Sequence, residues 1–400
     1  MARSSSDSSS LAAGARLLYL GPFVSSFDRF SIAPLLFPIA HDFHVRLAMA
    51  TLVATLYYLL YGVTQPIYGL LSDQFGRVPV LRWSLAVVVV GSIASAVAPT
   101  LPWLIGARLL TGATVGAVIP ASLVYVGDSF PFRVRQSAIA DISAAVAVGT
   151  ATGIFGAGLL ATYVTWRAPF LITGVLAAAL AVAFRGLPEP TRPTRSGGPL
   201  TQIRRVLGTG WAQFLIALAL AEGVIFQGLT TFFAPALQSR GLTAAAAGLV
   251  VAGYGLATLA GSRVVKRLTF RTSAAALIFV GGSMLLAGYL LAAATPSVPG
   301  VLGASLLAGA AFAFLHSTLQ TWITEVVPEA RGTATALFAS MLFVGAAIGT
   351  SAASGLAQQR NYPQIFLVGA VLTLAVAVVA GVARSRYGQL EEATAGGTST

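Results

Sequence analysis

Charge is scarce in this chain, and cysteine is absent from it. Only 9% of its 400 residues are charged, whereas 56% are apolar, and the mean hydropathy is +0.83. A water-soluble domain carries charge on about a quarter of its residues, so most of this protein's surface must face lipid. Without cysteine, the chain has no disulfide framework, no thiolate metal site and no cysteine nucleophile.

Signatures of enzymes and of ATP-driven pumps are also missing. The sequence has three histidines but no His-Glu-x-x-His motif, no Gly-x-Ser-x-Gly turn and no Gly-x-x-x-x-Gly-Lys-[Ser/Thr] phosphate loop. A membrane sensor is expected to carry a sizeable soluble domain, and no polar stretch here suggests one. We therefore expect no enzymatic activity, no metal and no cofactor. A membrane sensor or an intramembrane enzyme is kept as a remote alternative.

Long apolar runs fill most of the sequence. A transmembrane helix needs about 20 mostly apolar residues, and it tolerates glycine and proline because neighbouring helices satisfy the freed backbone groups. The first run is too long for a signal peptide and lacks a small-residue cleavage pattern. Twelve runs of sufficient length occur, at 17–40, 48–71, 80–98, 102–126, 136–160, 165–184, 211–236, 244–263, 273–294, 299–322, 333–357 and 363–384. They predict an all-α membrane protein with twelve transmembrane helices.

Basic residues lie mainly in the connections on one side of the predicted membrane. With the N-terminus placed inside, eighteen Lys and Arg residues fall in inner segments, whereas the outer segments hold four. Those four are Arg46, Arg167, Arg240 and Arg360. This bias places both termini in the cytoplasm, and we expect a multi-pass protein of the cytoplasmic (inner) membrane. Because the positive charge is spread over many short loops, it does not indicate nucleic-acid binding.

The second half of the chain repeats features of the first half at a spacing of 196 residues. Gly149-x-x-x-Gly153 recurs as Gly345-x-x-x-Gly349, and Arg135-x-x-Ala138 recurs as Arg331-x-x-Ala334. A segment rich in proline, glycine and arginine separates the halves, which predicts two six-helix pseudo-repeats joined by a linker. The predicted domains are a cytoplasmic tail at 1–16, an N-terminal half at 17–184, the linker at 185–210, a C-terminal half at 211–384 and a cytoplasmic tail at 385–400.

The loop after the second run carries a recognisable pattern. It reads Gly69-Leu70-Leu71-Ser72-Asp73-Gln74-Phe75-Gly76-Arg77. A glycine, an aspartate a few residues later and a final Gly-Arg resemble the signature loop of the major facilitator superfamily. We expect Gly69 to end its helix and to admit another helix closely, and Asp73 to lie at a helix N-terminus or to pair with Arg77. The resemblance covers about residues 15–385 and implies the major facilitator fold, with Asp128 as a further member of this cytoplasmic latch.

Two further patterns resemble those of the drug:proton antiporters of this superfamily. Arg108-x-x-x-Gly112-x-x-x-Gly116 in the fourth run is similar to their buried-arginine motif. In the fifth run, Gly149, Gly153 and Gly158 are similar to their glycine motif, although Ile154 stands where that motif has a proline. The resemblance implies proton-coupled export. General close packing of helices is the alternative role for these glycines.

Two acids fall near the middle of the predicted membrane, one in each half. A charge at that depth costs about 2.5–3.5 kcal/mol on insertion scales, so we expect Asp28 and Glu222 to carry protons. Arg108 lies at a similar depth and Arg29 follows Asp28 directly, and both belong to the predicted proton-coupling set. A permanent Asp28–Arg108 or Asp28–Arg29 ion pair that only joins helices is the alternative. Asp141 lies closer to the cytoplasmic end of its run and is predicted to be a gate or latch partner.

Aromatic residues near these acids predict a substrate cavity. Tyr57 and Tyr61 are four residues apart and share one helix face. An apolar, aromatic cavity with few charges suits amphipathic or aromatic solutes, and packing or lipid-facing roles are the alternative for each ring. The predicted cavity residues are Phe27, Phe30, Tyr57, Tyr61, Phe232, Phe233 and His316. A purely structural role is the alternative for the histidine.

The expected function is secondary active transport by alternating access, in the form of proton-coupled efflux of a small amphipathic or drug-like solute. The expected partners are that solute, protons and the lipid bilayer, and we expect a monomer. A proton symporter or facilitator for a small metabolite is the alternative, because the glycine motif lacks its proline.

Overall fold

Twelve helices that are long and apolar enough to cross a membrane form the described chain. The structure is a computed structural model that describes residues 5–130, 132–190 and 198–396, without the side chains of 5–16, 73, 132–133, 199 and 390–396. Spans 1 to 12 are Leu17–Asp42, Leu47–Ser72, Arg77–Ala96, Leu101–Ser129, Val134–Tyr163, Ala168–Gly186, Gly210–Gln238, Ala244–Leu268, Ala274–Ala294, Val298–Val326, Pro328–Gln358 and Tyr362–Gln389. They confirm the twelve predicted runs to within a few residues at each end. No β-strand occurs within the described ranges.

Some helices are continuous and others are divided by short turns. The continuous ones are Ser5–Asp42, Arg77–Ala96, Phe132–Tyr163, Ala168–Ala183, Ala274–Ala294, Arg331–Gln358 and Tyr362–Gly396. Three spans are divided, span 2 into Leu47–Ala50 and Leu52–Phe75, span 4 into Leu101–Val115 and Val118–Ser129, and span 8 into Ala244–Val251 and Gly253–Leu268. A separate short helix, Pro199–Leu207, precedes span 7.

Spans 7 and 10 each contain one π-helical turn. In span 7, helix Gly210–Gly223 leads into the π turn Val224–Gly228, the 3-10 turn Leu229–Phe232 and helix Phe233–Gln238. In span 10, the π turn Phe312–His316 joins helices Val298–Ala311 and Ser317–Val326. A π turn departs from the regular helical repeat, so it changes which way the following side chains face, and such turns are frequent at functional sites.

We call spans 1–6 the N-half and spans 7–12 the C-half. The linker face is the side on which span 6 ends and span 7 begins, and the opposite face is the side on which span 1 leads into span 2. Large apolar side chains such as Val175, Leu249 and Val371 are more than half exposed around the bundle. Apolar surface on that scale is what a bundle embedded in lipid presents.

Glycines bring the first and fifth span of each half into close backbone contact. A Cβ atom on Gly149 would lie 2.5 Å from the Phe23 carbonyl oxygen, and one on Gly153 would lie 2.6 Å from that of Phe27. In the C-half, Gly345 and Gly349 of span 11 face the backbone of span 7 in the same way, at Leu220 and Val224. Because both repeats use their glycines for the same helix pair, these contacts support the predicted division into two pseudo-repeats.

Hydrogen bonds between the halves lie toward the opposite face. In the described part of the chain they join Thr55 to Thr350 (2.9 Å), the Gln238 amide to the Pro34 carbonyl (2.8 Å) and the Ala245 N–H to Thr162 (2.9 Å). Two longer ones lie at Ala48–Gln358 (3.2 Å) and Tyr58–Thr231 (3.5 Å). The protein is therefore in an arrangement in which the halves are joined at the opposite face.

Candidate functional site

Asp28 and Arg108 form a buried, two-pronged ion pair inside the N-half. Arg108 Nη1 donates to Asp28 Oδ1 at 2.8 Å, and Nη2 donates to Oδ2 at 2.9 Å. The Arg108 side chain is 1% exposed and that of Asp28 is 0% exposed. The Arg108 guanidinium lies 4.4 Å from the ring centre of Tyr57 and 4.9 Å from that of Phe170. Of the two ion pairs considered from the sequence, this is the one that forms. Both carboxylate oxygens of Asp28 are occupied by an arginine that stays charged.

Arg29 does not share this pairing, although it follows Asp28 directly. Its guanidinium lies 4.8 Å from the ring centre of Phe30, 5.7 Å from that of Tyr61 and 5.2 Å from that of Phe343 in span 11. The residue is 7% exposed. Arg29 therefore lies at the contact between the two halves, surrounded by rings from both.

Glu222 and His316 form the corresponding acid–base pair of the C-half. His316 Nδ1 is 2.9 Å from Glu222 Oε1, and the side chains are 12% and 0% exposed. Glu222 Oε2 has no hydrogen-bond partner among the described residues. The histidine ring stacks on Phe312 at 4.3 Å and lies 6.0 Å from Phe338. The first and fourth span of each half thus supply one acid and one base.

Three aromatic rings connect the environments of Arg29 and His316. Phe30 lies 5.9 Å from Tyr254, Tyr254 lies 6.3 Å from Phe312, and Phe312 stacks on His316. We call Phe30, Tyr254 and Phe312 the aromatic bridge. The Tyr254 side chain is 4% exposed, and its hydroxyl has no hydrogen-bond partner among the described residues. The bridge crosses from span 1 to spans 8 and 10, so it belongs to both halves.

The predicted cavity aromatics divide into two groups. Phe30 belongs to the bridge, Tyr61 lies beside Arg29, and Tyr57 lies against Arg108. Phe27 instead packs on Gly153, and Phe233 packs between Tyr289 and Phe366 at 6.0 and 5.3 Å. Phe232 is fully buried and makes no ring contact with the bridge. These three phenylalanines make helix-packing contacts, and their place in the substrate cavity stays a prediction.

Sequence reasoning missed Tyr254, Phe312 and Phe343. Phe312 could have been found, because it precedes His316 by one helical turn and so falls on the same side of span 10. Tyr254 and Phe343 gave no such signal, because each meets a residue of the other half of the chain, Tyr254 at Phe30 and Phe343 at Arg29. Nothing in their own segments distinguishes them from packing aromatics.

At the linker face, Arg77 is held by several groups. Its Nε donates to Asp128 Oδ2 at 3.1 Å and its Nη1 donates to Ser72 at 3.0 Å, so the predicted participation of Asp128 is seen. Gly76, with a positive φ of 109°, allows the chain to turn from span 2 into span 3. The Asp73 side chain lies outside the described residues.

Two expectations about Gly69 are wrong. Gly69 lies inside helix Leu52–Phe75 instead of ending it, and a Cβ atom there would meet nothing within 4 Å, so no neighbouring helix approaches it. The N-terminus of span 3 is capped by Glu189. The Arg77 N–H donates to Glu189 Oε1 at 2.6 Å, and the Val78 N–H donates to Oε2 at 2.9 Å. A carboxylate at this position satisfies two free N–H groups and the positive end of the helix dipole.

Glu189 was not singled out from the sequence, because it precedes span 7 in a segment that resembles an ordinary linker. The Tyr125 hydroxyl donates to the neighbouring Pro188 carbonyl at 2.9 Å, so spans 3 and 4 together hold the start of the linker. Asp141, predicted as a gate or latch partner, is exposed and lies beside Tyr19 of span 1. It is not among the groups shown around Arg77 and Asp128.

A cavity of about 460 Å³ lies at the opposite face, away from the aromatic bridge. Its lining includes His41, His44, Arg46 and Arg360, from the ends of spans 1 and 11 and the start of span 2. It contains none of the predicted site residues. In the described part of the chain, no group of three or more His, Asp or Glu residues is arranged to hold a metal ion.

Twelve apolar spans, acid–base pairs buried inside the bundle and an aromatic bridge between the halves define a multi-pass membrane carrier. The chain belongs to the Major Facilitator Superfamily, whose family model matches residues 18–350 and again 233–398. The members of this family are transporters of small molecules across a lipid bilayer, and the protein is therefore a carrier and not an enzyme.

Curated relatives and solved structures agree with this assignment. The chain is 24% identical over 86% of its length to the uncharacterized MFS-type transporter YtbD of Bacillus subtilis, covering 89% of that protein. It is 28% identical to the multi-drug resistance efflux pump PmrA of Streptococcus pneumoniae, over 75% of this chain and 77% of the pump. It is 26% identical to a chloramphenicol resistance protein of Pseudomonas aeruginosa, over 84% and 83% of the two chains.

The fold is that of solved transporters. An inward-facing bacterial homologue of the human lysosomal transporter Spinster superposes with a TM-score of 0.74, at 19% identity, over 94% of this chain and 97% of that one. The D-xylose-proton symporter also gives a TM-score of 0.74, at 15% identity, over 90% and 96% of the two chains. The predicted major facilitator fold is thus confirmed.

Proposed function

We propose that this transporter exports a small amphipathic or drug-like solute in exchange for protons. In the proposal it acts as a monomer in the cytoplasmic membrane with both termini inside, as the distribution of basic residues predicts. The observation that carries the proton-coupling part is the Glu222–His316 pair, a carboxylate and an imidazole 2.9 Å apart inside the C-half.

Glu222 and His316 suit proton transfer better than Asp28 and Arg108 do. Histidine changes charge between about pH 5 and 8, and Glu222 retains one oxygen without a partner among the described residues. Asp28, in contrast, has both oxygens bound by Arg108. We therefore assign the proton to the Glu222–His316 pair. Asp28 is assigned a positioning role, in which its pairing with Arg108 fixes span 1 against span 4.

Export requires that solute enters from the cytoplasmic side and leaves on the other side. The hydrogen bonds between the halves lie toward the opposite face, so rocking of the halves about the aromatic bridge would break them as that face opens. The antiporter-type glycines and the similarity to PmrA and to the chloramphenicol resistance protein support the outward direction. Symport is the second candidate, because the fold is shared with the D-xylose-proton symporter.

The test uses purified protein in liposomes with an imposed pH gradient, screened against lipophilic cations, organic anions, neutral drugs and sugars. Solute movement against the proton flow supports antiport, and movement with the proton flow contradicts it. Glu222→Gln is expected to abolish the response to the gradient. Glu325→Gln is the matched control, because Glu325 pairs with Arg384 at the linker face and is 39% exposed. If Glu222→Gln retains full gradient-driven transport, the assignment of the proton to Glu222 is wrong.

A further inference from the structure

Arg29 carries a buried positive charge that no described acid balances. The residue is 7% exposed, its Nε has no hydrogen-bond partner, and no ion pair joins its guanidinium to any residue that the structure describes. Asp28 is occupied by Arg108, and Glu222 is paired with His316. An arginine keeps its charge in a protein, and a buried charge inside a membrane bundle indicates a functional partner.

The rings around Arg29 stabilise it only in part. Phe30, Tyr61 and Phe343 contribute cation–π contacts at 4.8 to 5.7 Å, and these leave the buried Nε–H of the guanidinium without an acceptor among the described residues. The three rings come from spans 1, 2 and 11. Arg29 is therefore placed between the halves, in the region that alternating access exposes to each side in turn.

The aromatic bridge extends from this arginine toward Glu222 and His316. Along it, the Tyr254 hydroxyl and Glu222 Oε2 are further buried polar atoms without partners among the described residues. The Tyr254 ring lies 5.9 Å from that of Phe30 and 6.3 Å from that of Phe312. Unsatisfied buried polar groups are rare in proteins, and here several of them surround one run of rings. This arrangement fits a ligand with an acceptor group at one end and an aromatic body.

We propose that Arg29 and the aromatic bridge form the substrate subsite, and that the substrate class is aromatic organic anions. The anionic group accepts from the Arg29 guanidinium, and the ring packs along Phe30, Tyr254 and Phe312. This proposal rests on the proposed transport function, and it names the substrate class of the same central site.

An anion fits this site better than a cation does. A cationic ligand would have to approach Arg29 and take Glu222 away from His316, whereas an anionic one supplies the missing counter-charge. A guanidinium binds a carboxylate through two parallel hydrogen bonds. Of the three arginines that are buried among the described residues, Arg77 pairs with Asp128 and Arg108 with Asp28, whereas Arg29 has no carboxylate partner there.

The experiment measures equilibrium binding to the purified full-length protein in detergent, by calorimetry at neutral pH. The probes are 2-naphthoate, 2-naphthamide and 2-naphthylmethylamine, which share one ring system and differ in the charge of the attached group. We expect 2-naphthoate to bind at least about ten-fold more tightly than the amide, and the amine to bind more weakly than both.

Four variants separate the roles of charge and ring. Arg29→Gln is expected to remove the preference for 2-naphthoate and to leave the affinity for the amide unchanged, while Arg29→Lys retains part of the preference. Phe312→Ala is expected to weaken the binding of all three probes alike. Arg167→Gln, which removes an arginine paired with Asp42 at the opposite face, is the control and keeps the preference. Size-exclusion profiles and thermal stability verify that each variant is folded.

Four outcomes overturn the proposal. Three concern the unchanged protein and are equal binding of naphthoate and naphthamide, tightest binding of the amine, and no binding of any probe. The fourth is a folded Arg29→Gln variant that keeps the preference for naphthoate. No proton gradient is present in this binding experiment. A result that overturns the subsite proposal therefore does not affect the proton-coupling proposal. Conversely, loss of the gradient response in liposomes does not affect the binding result.

Discussion

Asp28 and Arg29 are neighbours in span 1, yet each is directed to a different part of the protein. Asp28 is bound at both oxygens by Arg108 of span 4, whereas the Arg29 guanidinium lies 5.2 Å from the ring centre of Phe343 in span 11. Consecutive residues of a helix are separated by about 100° around its axis. One turn of span 1 therefore serves both the interior of the N-half and the interface with the C-half.

Removing one partner of the Asp28–Arg108 pair should lower the stability of the protein more than removing both partners does. Asp28→Asn leaves the Arg108 charge buried without a counter-charge, and breaking such a pair costs about 3–5 kcal/mol. The double variant Asp28→Leu/Arg108→Met removes both charges and should recover much of that stability. Unfolding of the purified variants in detergent measures both effects. A double variant less stable than Asp28→Asn would contradict the positioning role.

Gly153 of span 5 and Gly106 of span 4 should tolerate substitution according to what they face. Gly153→Ala places a Cβ atom 2.6 Å from the Phe27 carbonyl oxygen, whereas Gly106→Ala meets nothing within 4 Å. We expect Gly153→Ala to lower the free energy of unfolding by about 1–3 kcal/mol through overpacking. Gly106→Ala is the matched control and should be neutral or stabilising by up to about 1 kcal/mol. Equal unfolding midpoints for the two variants would show that the close contact between spans 1 and 5 is not needed.

A disulfide between Thr55→Cys and Thr350→Cys should hold the opposite face closed. The two hydroxyl oxygens are 2.9 Å apart, so the two side chains meet directly, as the partners of a disulfide must. The chain has no cysteine of its own, so no other disulfide competes. Oxidation is expected to stop transport, and reduction is expected to restore it. The two single-cysteine variants should transport under both conditions, and transport by the oxidised double variant would rule out opening at this face.

Glu189 should stabilise the junction between span 3 and the linker. Glu189→Ala removes the acceptor of two backbone N–H groups, at Arg77 and Val78, and loss of a cap costs about 1 kcal/mol. We expect faster trypsin cleavage between Leu187 and Gly198, because the start of the linker loses its attachment. Glu329→Ala, an exposed acid in the 3-10 turn Pro328–Ala330, is the control. Unchanged cleavage rates in both variants would show that the contact does not hold the linker.

The sequence by itself determined the number of spans, the fold and the family resemblance. Each span is visible locally, because crossing lipid requires about 20 apolar residues whatever the neighbouring helices are. The acids Asp28 and Glu222 also stood out locally, since charge is rare in such runs. The glycine repeat at 149–153 and 345–349 was found from its spacing of 196 residues, and the structure gives both copies the same packing partner within their halves.

The tertiary structure alone decided which base each acid meets and which rings form the bridge. Asp28 and Arg108 are 80 residues apart in sequence, and Glu222 and His316 are 94 apart. Whether such residues meet depends on the rotation of each helix about its axis, where an error of one residue turns a side chain by about 100°. The π turns in spans 7 and 10 change that rotation further, and no sequence period shows them. Tyr254 and Glu189 acquire their partners only when spans distant in sequence pack together, so their positions could not be read from the chain alone.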